Sequence, residues 1–183
     1  MRNTLILGIL IVAICSCSQS EKKMQEKNKL LVQIQQAEKQ FYNDSLMTLN
    51  INAADSAVNL YVRFANNFAD DFSSAEYLFR AAGFCKTLNK GKLALIYYER
   101  IENNYPDFPK MPICIFMQGF VNEELADYDK ARFHYQRFID KYPNHPLVKD
   151  TKIMIENLGK SPEELIKLFQ KKEKNKSSPN TSI

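Results

Sequence analysis

The 183-residue sequence predicts an all-α fold: a superhelix of stacked helix pairs with about three and a half repeats. Three observations carry the prediction. A motif recurs three times at a step of 37 residues, the apolar residues of each copy fall at helical spacing, and proline closes the last two copies. The composition agrees. Five Gly are too few for a β-rich fold full of tight turns, and 45% hydrophobic with 25% charged residues suits one ordinary globular domain.

The motif has five columns. Tyr61, Tyr98 and Tyr135 form one, and Arg63, Arg100 and Arg137 follow two positions later. Phe64, Ile101 and Phe138 form a third, and Phe68, Tyr105 and Tyr142 a fourth. Ala57, Ala94 and Ala131 stand four residues before each Tyr. Ala131, Tyr135, Phe138 and Tyr142 are spaced by four, three and four, which puts them on one helix face. Pro106 and Pro143 then stop the helix, because proline has no N–H to donate and restrains the residue before it. Pro109 and Pro146 follow. In the first copy these positions hold Ala69 and Phe72, so that turn is expected to be built differently.

A second helix precedes each of the last two copies. Ser74–Lys90 and Pro112–Asp127 align at the same step, with Leu78 matching Ile115, Phe79 matching Phe116, Ala82 matching Gly119 and Leu88 matching Leu125. Ser73 with Glu76 fits a capping box. Short polar turns at Asn89-Lys90-Gly91 and Asp127-Tyr128-Asp129 join the helices into antiparallel pairs. Helices approach to about 8 Å only where the crossing side chains are small. Ala82 and Gly119 on the first helices, and Ala94 and Ala131 on the second, are the expected crossing points.

At the array's ends the pattern loosens. Lys22–Met47 reads as the first helix of copy one, through Leu30, Leu31, Ile34, Ala37, Phe41 and Leu46. Lys149–Leu158 reads as a fourth first helix, ended by Gly159 as a C-cap. Ser161-Pro162-Glu163-Glu164 starts a last helix, with an N-cap, a proline in the first turn and acidic residues at the positive end of the dipole. Leu165, Ile166, Leu168 and Phe169 supply its apolar face.

The amino terminus reads as an address. After Arg2, Leu5–Ile14 is a run without a polar side chain, shorter than the roughly 20 residues a bilayer-spanning helix needs. Cys15-Ser16-Cys17 follows. The segment resembles a bacterial lipoprotein signal, with Ser16 as the small residue before Cys17; that resemblance implies lipidation of Cys17 and loss of residues 1–16. A plain cleaved signal peptide with unmodified cysteines is the alternative. Residues 17–25 then form a tether, 26–170 the helical domain, and 171–183 a basic disordered tail.

The repeat itself resembles the tetratricopeptide repeat. Ala82 and Gly119, the alanines 57, 94 and 131, the tyrosines 61, 98 and 135, and Pro106 and Pro143 carry the match. Departures are Leu78 and Ile115 in place of the usual tryptophan, Phe64, Ile101 and Phe138 in place of a late alanine, and a longer step. The ending Phe138-Ile139-Asp140-Lys141-Tyr142-Pro143 looks most like repeats of envelope lipoproteins, including outer-membrane barrel-assembly accessory proteins (BamD-like). The resemblance implies a non-enzymatic adaptor, lipid-anchored in the cell envelope, with protein or peptide partners. A glycan- or nutrient-binding lipoprotein is the alternative. By the family's geometry, Glu76, Phe79, Lys86, Thr87, Phe116, Phe120, Glu123 and Glu124 would line the binding groove, with the phenylalanines either forming an apolar strip or packing inside. The family's carboxylate-clamping lysine and asparagine are absent at these places.

Charge and motif content narrow the function further. Of the formal net charge of +4, Arg2 supplies one and Lys171–Lys176 three, so residues 17–170 sum to about zero, which argues against a large nucleic-acid-binding face. There is no glycine-rich phosphate loop, nucleophile elbow or metal motif, and the reading is of a protein without cofactor or catalytic site. His134 reads as a solvated or packing residue on a helix and His145 as a loop residue. Glu123-Glu124 reads as a solvated face. Cys85 and Cys114 read as buried small hydrophobes, between which a disulfide is chemically open.

Overall fold

The structure, a computed structural model, describes the backbone of residues 2–42 and 51–177, with side chains from 19 to 40, from 51 to 171 and at 173. The described residues form eight helices and no strand: α1 (Arg2–Tyr42), α2 (Ile51–Asn67), α3 (Ser73–Thr87), α4 (Gly91–Asn104), α5 (Met111–Glu124), α6 (Tyr128–Lys141), α7 (Val148–Asn157) and α8 (Pro162–Ser177). This is the helix-pair architecture that the period predicts. The chain divides into two compact units, Met1–Ile101 and Glu102–Ile183.

In the first unit α2 packs on α1 and α3. Leu30, Ile34 and Ala37 of α1 are buried against it, as the spacing of three and four requires. Tyr61 stacks on Tyr77 of α3 at 5.4 Å, and Phe64 meets the same ring edge-on at 4.7 Å. Leu78, Ala82 and Cys85 of α3 and Ala94, Tyr98 and Ile101 of α4 complete the core. In the second unit α6 packs on α5 and α7. Ala131, Tyr135 and Phe138 are fully buried, with Leu158 closing the cluster behind Tyr135. All eight repeat-packing residues, Ala57, Ala82, Ala94, Gly119, Ala131, Tyr61, Tyr98 and Tyr135, are buried.

The helix ends repeat as closely as the cores. After α3, Asn89 N–H donates to the Lys86 carbonyl and Lys90 N–H to that of Cys85; after α5, Ala126 donates to Glu123 and Asp127 to Asn122. Each is a Schellman ending, with Asn89 and Ala126 both at φ +58°. Asn tolerates that left-handed conformation, whereas alanine's Cβ is strained in it. Ala126→Gly is therefore expected to stabilise the protein by about 0.5–1 kcal/mol, measured by chemical denaturation; a loss of stability would contradict the ending described.

Four expectations are corrected. The first-copy turn is not built differently: Asp71→Phe68 and Ser74→Asp71 backbone bonds recur as Phe108→Tyr105 and Met111→Phe108, and as His145→Tyr142 and Val148→His145. None of these donors falls at a proline position, and Phe72 adopts φ −53° unaided, within the range a proline ring imposes. Ser73 and Glu76 form no capping box. Asp71 instead accepts from Ser73 N–H at 2.8 Å and pairs with Lys27, while Glu76 accepts from Arg80. Helix α1 continues through residues 17–25, where a tether is expected, and α8 continues to Ser177, so the lysine-rich stretch 171–177 is helical. No Gly or Pro interrupts either stretch, and Lys, Gln and Glu are good helix formers. Residues 178–183 and Leu46 lie outside the described residues, as do the side chains of Cys15, Cys17 and Phe41.

The start of α8 follows expectation. Ser161 N–H donates to Glu164 Oε2 at 2.8 Å and Glu164 N–H to Ser161 Oγ at 3.3 Å, a closed capping box with Pro162 in the first turn. Gly159 adopts φ +75° after α7.

Candidate functional site

The predicted groove residues divide between the two units. On α3, Glu76 accepts from Arg80 Nε at 3.3 Å, and Phe79 is half-buried, edge-on to Tyr98 at 6.0 Å. Lys86 is half-buried, and Thr87 is exposed, donating to the Gly83 carbonyl. On α5, Phe116 lies 5.6 Å from the rings of both Tyr135 and Phe138. Phe120 packs against the Ala131, Tyr135 and Leu158 cluster. Glu123 accepts from Tyr135 and Glu124 is exposed. The three phenylalanines thus pack against second helices and form no fully exposed strip. The exposed members of the predicted groove, Thr87 and Glu124, are both polar.

Two of the repeated tyrosines hold a carboxylate from the first helix of their own pair. Tyr61 Oη donates to Glu38 Oε1 at 2.7 Å, and Tyr135 Oη to Glu123 Oε2 at 2.7 Å. Glu38 also accepts from Arg80 at 2.7 Å. Burial first, and the carboxylate acceptor second, push both phenols well above their ordinary value of 10.0. Since the folded-state values are raised, the unfolded chain releases these protons first as pH climbs past about 10. The stabilisation is complete below that pH and is lost above it. Melting temperature is therefore expected to fall from about pH 9 to about pH 11, with a flatter fall in a Tyr61→Phe/Tyr135→Phe variant.

The arginine column turns out to be a ladder. Arg100 on α4 donates to the Ala65 carbonyl at 2.9 Å and to Asn66 Oδ1 at 2.7 Å on α2. One repeat later, Arg137 on α6 pairs with Glu102 in the last turn of α4, the position equivalent to Ala65. Gln118 adds a bond to Glu102 at 3.2 Å. Arg100 and Arg137 thus both reach a residue in the last turns of the preceding second helix. The spacing shows the column without its partners, although Asn66 and Asn103, one step apart, were a polar signal.

The outer face of α6 carries a shallow depression of about 710 Å³ lined by Arg132, Phe133, Gln136, Asp140 and Lys141 among others. Phe133 is 61% exposed there, and Ile96, one repeat earlier on α4, is 56% exposed. Both lie off the buried stripe of their helices, which was legible in the spacing. Cys85 and Cys114 are buried free thiols, and burial pushes the Cys85 thiol up to about 11. His134 meets Phe133 edge-on and His145 meets Phe138, with its Nδ1 accepting from Leu147 N–H. Among the described residues no group of His, Cys, Asp and Glu could hold a metal ion, and no helix is long and apolar enough to cross a membrane.

With this geometry in view, the tetratricopeptide repeat signature matches residues 114–145, from α5 through α6 to His145. No curated protein matches the chain. The chain therefore carries at least one tetratricopeptide repeat, a module that generally mediates protein–protein interaction and is generally non-catalytic.

Proposed function

We propose that this repeat-bearing chain is a lipid-anchored scaffold of the cell envelope that holds other envelope proteins or peptides, with outer-membrane protein assembly as its setting. The observation that carries the reading is the tetratricopeptide repeat at 114–145, preceded in the same chain by the apolar run Leu5–Ile14 and Ser16-Cys17. A lipid on Cys17 would hold the chain at a membrane surface, since each buried methylene adds roughly 0.8 kcal/mol. The repeat array then presents its helices to partners on the periplasmic side. The polar exposed positions of α3 and α5 suit hydrogen bonding to a bound segment, with helix packing supplying rigidity.

Two measurements test it. Cells labelled with an alkyne fatty acid are expected to mark the wild type and not Cys17→Ala; equal labelling removes the anchor. A photo-crosslinking residue at 87 or 124 is expected to capture a discrete envelope protein; capture of none removes the scaffold.

A further inference from the structure

Helix α8 has no buried residue among those whose side chains are described. Leu165 and Leu168 are half-buried, while Ile166 and Phe169, one turn apart, are 56% and 60% exposed. The same helix concentrates positive charge. Lys167, Lys171, Lys172, Lys174 and Lys176 stand against Glu173 alone from residue 167 onward, a net of +4 within ten residues, whereas residues 17–170 as a whole sum to about zero. Glu163 and Glu164 are confined to the first turn, and Glu164 closes the capping box there. The helix thus has an acidic capped start, an exposed apolar pair in its middle and a basic end.

We propose that α8 docks on the surface of an anionic phospholipid bilayer. Ile166 and Phe169 enter the boundary between headgroups and acyl chains, and the lysines meet lipid phosphates. Charge complementarity selects this occupant. A second copy paired in parallel would set one basic helix end against another, and paired antiparallel would offer the lysines only Glu163 and Glu164, one of which already closes the capping box. In either case two exposed apolar side chains are a small part of the roughly 800 Å² per partner that a stable protein interface buries. A bilayer asks for no shape match and attracts each lysine near its surface, with an effect of about fivefold in binding. The contact stands whether or not Cys17 carries lipid, because it uses the opposite end of the chain.

The test is co-sedimentation of the purified full chain with vesicles of phosphatidylcholine alone and of phosphatidylcholine with about 30% phosphatidylglycerol. The apolar run Leu5–Ile14 contributes to both, so the readout is the ratio between them. The expected result is at least about tenfold preference for the anionic vesicles, weakened in ~0.5 M salt. Changing Lys171, Lys172, Lys174 and Lys176 to Gln is expected to erase the preference. Ile166→Ser/Phe169→Ser is expected to lower binding severalfold with the melting temperature unchanged. Equal binding to the two vesicle types, or a preference that survives the four Gln substitutions, overturns the proposal. So does self-association of the wild type that Ile166→Ser/Phe169→Ser abolishes without any anionic preference; α8 would then be a contact between copies.

Discussion

Tyr135→Ala is expected to cost about 3–5 kcal/mol, the range for emptying a large aromatic site in a core. The ring is fully buried, lies 5.6 Å from Phe116, and covers Gly119. Its hydroxyl also holds Glu123 at 2.7 Å. Removing it leaves a cavity between α5 and α6 and deprives a half-buried carboxylate of its donor. Urea denaturation of wild type and variant measures the difference. A cost below about 1 kcal/mol would mean that the tyrosine column does not pack between the helices of its pair.

The second large effect comes from adding one methyl group. A Cβ on Gly119 would lie 2.5 Å from Tyr135 Cδ1 and 2.7 Å from Cε1. The ring cannot swing away, because it is buried and its hydroxyl is held by Glu123. Gly119→Ala should gain up to about 1 kcal/mol from helix propensity and lose about 1–3 kcal/mol to overpacking, for a net destabilisation. The two substitutions are coupled. In the Tyr135→Ala background the ring is gone, and Gly119→Ala should become stabilising by about 0.5–1 kcal/mol. The same sign in both backgrounds would show that the close approach of ring and backbone is not what excludes a side chain at 119.

Much of the site's surroundings was legible beforehand because it depends on local periodicity. The column of tyrosines, the alanines four residues before them and the small residues of the first helices all proved buried. Phe79, Phe116 and Phe120 were less readable. Their positions are on the first helices either way, and only the packing of the second helix decides how much of each ring it covers. The resemblance named a groove from eight positions, three of which the fold engages in aromatic packing.

By itself, the sequence determined the helix pairs, their period and the buried stripe of most helices, because spacings of three and four and chain breaks at proline act within a few residues along one helix. Tertiary structure alone decided what those helices do to one another. It placed Arg100 on the Ala65 carbonyl and Arg137 on Glu102, and it gave Glu38 to both Tyr61 and Arg80. It also gave the first-copy turn the same hydrogen bonds without proline. These choices depend on distances across neighbouring helices, set when the small residues let the backbones close in, and a one-dimensional pattern of apolar and polar positions does not encode those distances.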